Sequence, residues 1–312
     1  MRNIVIDCDP GHDDALAIMA AFAHPEKFQI LGITTVGGNQ TVEKVTQNAK
    51  NILSFIRADI PLAKGQERPL VKSLETAGEA HGDSGMDGPY FSGNDYPVVS
   101  ENAVVFLYEK IMSCSEKVTI VALAPLTNIA LLLKTFPDVK KKIECISLMG
   151  GGIKHGNCTE LAEFNIYVDP EAAHIVFHSD IPIIMSGLDV TEKAVITEKE
   201  ILSLKQKGRV SNLVYELLSF YHESGKQFGF KDSPLHDLCA VQYLITPEIF
   251  TGEFKYVDVI TDEGPARGQT FADLRMLPKH QENVFVLMGV DRESFITSLI
   301  EGLSLLDLGK TM

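Results

Sequence analysis

Residues 4–15 read IVIDCDPGHDDA, which places four carboxylates, Asp7, Asp9, Asp13 and Asp14, within eight residues behind an apolar run. Like charges this close repel, and His12 is the one neighbour in the stretch able to offset them. An aspartate opening a helix satisfies free backbone N–H groups and complements the helix dipole, which explains one or two of the acids. The others stay crowded in one place. A hard divalent cation resolves the crowding, because Ca²⁺ and Mg²⁺ take oxygen ligands and draw carboxylate pKa values down. Two further stretches carry chemistry-bearing types: His236 beside Asp237 in PLHD, and a glycine-rich HGDSGMDG that contains His81. An imidazole next to a candidate metal ligand is placed to move a proton near neutral pH.

Elements must bring these residues together. Short Ile- and Val-rich runs at 3–8, 28–35, 118–123, 143–149 and 181–186 read as buried strands. Helical spacing fills 13–23, 41–57, 100–114, 126–135 and 170–178; Leu16, Met19, Ala20 and Ala23 fall on one face. This alternation predicts a single α/β domain over 1–312, Rossmann-like, with a mostly parallel central sheet flanked by helices. In such folds the active site lies at the C-terminal edge of the strands. Asp7 and Asp9 are expected on one face of the first strand by its two-residue period, with Pro10-Gly11 turning into the helix that Asp13 and Asp14 open. Further on, helix is expected over 198–226 and 235–246, strands at 254–260 and 284–290, and a last helix at 291–304. Two segments read as lids. Residues 65–97 are glycine-rich with little periodicity, and 219–233 hold Phe220, Tyr221, His222, Phe228 and Phe230 just before PLHD.

Composition narrows the classes. A net charge of −14 disfavours nucleic acid and anionic membrane surfaces as partners. Five scattered cysteines without a C-x-x-C pattern suit reduced thiols in a cytoplasmic protein rather than a zinc or redox motif. The start runs almost at once into IVIDCD, so no signal peptide is expected, and VTIVALAPLTNIALLL is too short and too broken to span a bilayer.

DCDPGHDDA resembles the N-terminal signature of the calcium-dependent nucleoside hydrolases, and TTVGGNQ, APLTNIA, LMGGG with GNCTELAEFN, and PLHD follow in that family's order. The resemblance implies hydrolysis of the N-glycosidic bond of ribonucleosides to ribose and free base. It implies Ca²⁺ held by Asp9, Asp14, Asp237 and the carbonyl of Leu123, with a bound water activated by Asp9 as general base. Asp13, Asn39, Met149, Asn157, Glu163 and Asn165 would contact ribose, His81 would close over the base, and His236 would act as the acid for the leaving base. Asp7 would orient its neighbours, and His12 is expected to play only a local part. The absence of tryptophan argues against the purine-specific subgroup that sandwiches its base between indoles, so pyrimidine-preferring or broad specificity is expected. The family also implies a homodimer or homotetramer. Two other readings compete: a haloacid-dehalogenase-like phosphatase, whose D-x-D also follows the first strand, and a non-catalytic nucleoside-binding protein.

Overall fold

The computed structural model describes residues 1–309 of the chain. Its first half alternates strand and helix: β1 (Arg2–Cys8), α1 (His12–Ala23), β2 (Phe28–Thr35), α2 (Val42–Ile56), β3 (Leu62–Lys64), α3 (Gly78–His81), β4 (Val98–Ser100), α4 (Ala103–Ser113), β5 (Val118–Ala122), α5 (Thr127–Thr135) and β6 (Ile143–Met149). The second half continues with α6 (Phe164–Val168), α7 (Pro170–Phe177), β7 (Ile183–Ser186), α8 (Leu188–Thr191), β8 (Val195–Ile196), α9 (Glu198–Leu204) and α10 (Arg209–Lys226). It closes with β9 (Ser233–Pro234), α11 (His236–Ile245), β10 (Phe250–Lys255), β11 (Val257–Val259), β12 (Thr270–Ala272), β13 (Val284–Val290) and α12 (Arg292–Asp307).

Nine strands form one sheet in the order β10-β13-β7-β6-β5-β1-β2-β3-β4, parallel throughout except for edge strand β10, which runs antiparallel to β13. Parallel strands need crossover helices on the faces, and the apolar side chains divide accordingly. Ile4, Ile6 and Cys8 of β1 join the core under α1, α2, α10, α11 and α12, while Val5 joins the one under α4, α5 and α7. The expected single, mostly parallel α/β domain is the observed one. Among the described residues no helix is long and apolar enough to cross a membrane.

Three expectations need correcting. The stretch 254–260 is two strands, because the side chain of Asn283 pairs with both the N–H and the C=O of Val257 (2.8 and 3.0 Å) and withdraws that residue from the sheet. The helical stretch 198–226 breaks at 205–208, where Gln206 takes a left-handed φ of 60° and Gly208 extends. The segment 219–233 is loop only from Gln227 onward; Phe220, Tyr221 and His222 belong to the last turns of α10. The lid segment 65–97 also carries the short helix α3, and strands β3 and β4, too short for a pattern, lie just outside it.

Helix α10 owes its start to the far end of the chain. Asp307 accepts the Val210 N–H at 2.6 Å on Oδ1, and the Ser211 N–H at 3.2 Å and hydroxyl at 2.5 Å on Oδ2. Those donors have no partner inside the helix. Asp307→Ala is therefore expected to lower unfolding free energy by about 1–2 kcal/mol in urea titrations; a change within error would show that water replaces the carboxylate without loss.

Candidate functional site

The strands β1, β2, β5 and β6 end side by side, so the residues just beyond them share one edge. At that edge Asp14, in the first turn of α1, reaches back over the Pro10-Gly11 turn. Its Oδ1 accepts the Asp9 N–H at 3.2 Å and its Oδ2 accepts the Gly11 N–H at 3.0 Å. Asn39, from the β2–α2 turn, donates its backbone N–H to Asp9 Oδ2 at 2.6 Å and its amide to the Asp9 carbonyl and Asp14 Oδ2 at 3.2 and 3.3 Å. Gly38 permits this approach, since a Cβ there would lie 2.0 Å from Asp9 Oδ2. Asp237, in the first turn of α11, completes the group: one carboxylate oxygen each from Asp13, Asp14 and Asp237 lie within 4.8 Å of one another. Asp7 takes partners of its own, accepting from Thr34 Oγ1 at 2.5 Å and Asn128 Nδ2 at 2.8 Å.

All five acids are buried, and none of them takes part in an ion pair with lysine or arginine among the described residues. Burial raises Asp7 to about 7 against the opposing bonds from Thr34 and Asn128, and raises Asp14 to about 7 with help from Asp13. Asp9 and Asp237 are pushed well above the carboxylate range, first by burial and then by Asp14 and Asp13 respectively. Asp9 Oδ1 and Asp7 Oδ2 are buried without any hydrogen-bond partner. Orphaned carboxylate oxygens with no basic side chain suit a bound divalent cation, and an all-oxygen donor set suits a hard one.

Above these acids opens a cavity of about 960 Å³. The residues expected from sequence divide into two layers. Asp13, Asn39, His81, Leu123, Met149, Asn157, Glu163, Asn165, His236 and Asp237 line the cavity, whereas Asp9 and Asp14 are fully buried beneath its floor. Some of the lining residues are already occupied. Glu163 accepts three backbone N–H groups, from Gly151, Asn165 and Ile166, and so shapes the loop that follows β6. Asn165 donates its amide to the carbonyls of Leu123 and Met149 at 3.0 and 3.2 Å. Asn157 accepts the Phe164 N–H at 2.9 Å. His236 faces Thr191, with Nδ1 2.8 Å from the hydroxyl, and burial holds its pKa below the usual imidazole value.

The roof joins the two lids. Ser224 donates to the carbonyls of Glu79 and Ala80 at 3.1 and 2.9 Å, and Gln227 to Glu79 at 2.8 Å. Here the structure gives His12 a larger part than expected. Its ring stacks on His81, Phe220 and Tyr221 with centroids 5.2–5.6 Å apart. Its Nε2 lies 2.7 Å from the Asp87 carbonyl, so that nitrogen carries a proton. Burial lowers His12 to about 3, which leaves the ring neutral and Nδ1 a bare acceptor. The 3.1 Å contact to His81 Nδ1 then requires the proton on His81. The His12 backbone N–H points at the same nitrogen, but from 3.5 Å, at the limit of hydrogen bonding. His81 is itself held neutral, at about 4, by burial, so its Nε2 is left as an acceptor. Tyr221, stacked on His81, keeps its phenol proton, because burial and the charges of Asp13 and Asp237 raise its pKa. His12 stands inside the acidic motif, and that position was the available signal; its reach to Asp87, 75 positions along the chain, has no sequence pattern.

The family described as inosine-uridine preferring nucleoside hydrolase matches residues 4–297. The chain is 44% identical over 304 residues to the pyrimidine-specific ribonucleoside hydrolase RihA of Salmonella paratyphi B, covering 96% of this chain and 97% of that protein. A RihA from a Shewanella species is also 44% identical, over 308 residues and 97% and 96% of the two chains. Among solved structures, the purine-preferring ribonucleoside hydrolase from Gardnerella vaginalis superposes with a TM-score of 0.91 at 30% identity, covering 98% of this chain and 100% of that one. An inosine-guanosine nucleoside hydrolase superposes with a TM-score of 0.90 at 28% identity, over 97% and 99%.

The buried acids set a pH dependence. Asp7 and Asp14 have folded-state pKa values of about 7, above their unfolded ones, so their favourable contribution is complete below about pH 4 and is lost as pH rises through 7. Metal-free protein is expected to melt at a lower temperature at about pH 8 than at about pH 5, with an excess of a hard divalent cation narrowing the gap in scanning calorimetry. A metal-free melting temperature that climbs over that interval would contradict the assignment.

Proposed function

This chain belongs to the inosine-uridine preferring nucleoside hydrolase family and is an enzyme that hydrolyses ribonucleosides; we propose that it does so with a calcium ion, with Asp9 as general base, and with a preference for pyrimidine nucleosides. The observation that carries the proposal is that Asp13, Asp14 and Asp237 bring one carboxylate oxygen each within 4.8 Å of one another, with Asp9, whose Oδ1 has no partner, bonded to Asp14 beneath the cavity floor and no lysine or arginine paired to any of them among the described residues. The family match sets aside the phosphatase and the non-catalytic binder.

Asp9, Asp14, Asp237 and the carbonyl of Leu123 would hold the cation. When bound, it would neutralise part of the acidic charge, take ribose hydroxyls as ligands and make a water easier to deprotonate. Asp9 suits the base because its Oδ2 is fixed by the Asn39 N–H while Oδ1 has no partner. It takes a proton from the water that attacks the anomeric carbon. Asp13 and the Oδ1 of Asn39 accept from ribose hydroxyls, with Asn157, Glu163, Asn165 and Met149 forming the wall around the sugar. As the C–N bond lengthens, positive charge grows on the ribose ring, and the acids beneath it favour that state over the ground state. A base below the sugar, with an acid on the far side and a water between, gives inversion at the anomeric carbon, by analogy with inverting glycosidases.

His236, beside Asp237 at the start of α11, assists the departing base. Donation from Thr191 to Nδ1 would leave the proton on Nε2. His81 Nε2 accepts, and so suits a ring N–H or exocyclic amine such as uracil and cytosine carry. The RihA relatives are pyrimidine-specific by name, and the chain has no tryptophan to build an indole sandwich; both support the pyrimidine preference. The five free thiols suit the cytoplasm, and the resemblance in sequence suggests a homodimer or homotetramer, which sedimentation would test.

Asp9→Asn is expected to keep its KM for uridine and lose about 10²–10⁴-fold in kcat in a reducing-sugar assay; near-normal turnover would remove Asp9 as the base. The same assay should give uridine and cytidine a higher kcat/KM than inosine, and the reverse order would defeat the pyrimidine preference. His12→Phe retains the aromatic stack but frees the His81 tautomer. It should lower kcat/KM several-fold, corresponding to about 1 kcal/mol for one lost hydrogen bond. Unchanged kinetics would show that His81 orients itself without His12.

A further inference from the structure

We propose that His174, His178 and Asp258 form a second metal site, for a borderline transition-metal cation of the Zn²⁺ class, on the surface away from the catalytic cavity. His174 lies in the last turn of α7 and His178 is the residue that caps the helix end; the His178 N–H still bonds the His174 carbonyl at 3.2 Å, so the two side chains, four positions apart, fall on one side. Asp258 faces them from the middle of β11. One ligand atom from each of the three lies within 4.8 Å of the others.

The distances suit a small ion. His174 Nδ1 is 3.0 Å from Asp258 Oδ1, and His178 Nε2 is 3.6 Å from Asp258 Oδ2. Ligands at the usual zinc–nitrogen and zinc–oxygen lengths in a tetrahedron stand about 3.3 Å apart, between these two values. The ligands are also held in place. His178 Nδ1 lies 2.9 Å from the carbonyl of His174, so its proton is on that nitrogen and Nε2 presents a lone pair toward Asp258. A metal-binding histidine ordinarily fixes its tautomer through just such a bond from the other ring nitrogen. Asp258 is fixed in turn by the Val259 N–H on Oδ1 at 2.7 Å and the Tyr256 hydroxyl on Oδ2 at 3.1 Å. With the side chains of His174 and His178 48% and 40% exposed, a water can complete the coordination. Two imidazoles and one carboxylate favour zinc, cobalt, nickel or copper over calcium, so the site differs in chemistry from the all-carboxylate floor.

Metal here would clamp α7 to the β11–β12 hairpin. The hairpin in turn supports the cavity loop from behind: the Thr270 hydroxyl bonds both the N–H and the C=O of Gly152 at 2.8 Å, and Gln269 pairs with Ala162. The clamp thus stiffens the loop that carries Asn157 and Glu163 without touching the reacting atoms.

The test uses the full chain with excess Ca²⁺, so that the acidic floor is loaded, and Zn²⁺ as the titrant in calorimetry. One equivalent is expected to bind with micromolar affinity and raise the melting temperature. Co²⁺ in the same protein should give the visible absorption of a tetrahedral nitrogen–oxygen site. His178→Ala and Asp258→Asn should each weaken Zn²⁺ binding at least about tenfold, while melting temperature without zinc and turnover of uridine stay at wild-type values. Zn²⁺ binding of equal stoichiometry and affinity in a His174→Ala/His178→Ala double variant would overturn the proposal, as would the absence of Zn²⁺ binding to the calcium-loaded wild type.

Discussion

Burying a carboxylate without a positive partner costs several kcal/mol after relaxation, and this fold buries five of them at one sheet edge. The structure offsets part of that cost with donors from the polypeptide itself. The N–H groups of Asp9, Gly11 and Asn39, the amides of Asn39 and Asn128, and the hydroxyl of Thr34 all point at acid oxygens. The donors do not suffice, since Asp7 Oδ2 and Asp9 Oδ1 remain bare. Without a cation, the remaining imbalance is relieved by protons, which is what the raised pKa values of Asp7, Asp9, Asp14 and Asp237 express. A site whose crowded charge is eased by protons is one where a cation can take their place.

The same constraint explains the architecture around it. The acids can meet only because β1 lies between β2 and β5, so that the ends of three parallel strands and the start of α11 share one edge. Asp9 comes from the end of β1, Asn39 from beyond β2, Leu123 from the end of β5 and Asp237 from a helix more than two hundred positions downstream. Close approach requires glycine at selected points. A Cβ on Gly11 would stand 2.6 Å from His81 Nδ1, and one on Gly38 would collide with Asp9. Small residues in the motif therefore serve the contacts made across it as much as the turn itself.

Floor and roof are one assembly. His12 sits between two acids of the floor, yet its ring stacks on the aromatic residues of α10 and its proton goes to a lid carbonyl. The lids are bonded to one another through Ser224 and Gln227. A single short motif thus supplies acids of the floor and also fixes which nitrogen of His81 carries the proton.

The sequence by itself determined the βα alternation and the acidic cluster, and its resemblance to a known family pointed to ten of the residues that line the cavity. Hydrophobic periodicity, turn residues and local charge crowding are short-range properties that a chain states in order. Tertiary structure decided the rest. That Asp9 and Asp14 lie beneath the floor while Asp13 and Asp237 face the cavity depends on how α1 packs against α11. That Glu163 caps a loop depends on backbone N–H groups of Gly151, Asn165 and Ile166, and the end of α10 is tied to the other lid by Ser224 and Gln227, which donate to carbonyls of Glu79 and Ala80. The pairing of His12 with Asp87, the cap that Asp307 gives α10, and the meeting of His174, His178 and Asp258 join residues tens of positions apart. Such contacts are set by packing geometry, for which one-dimensional spacing carries no signal.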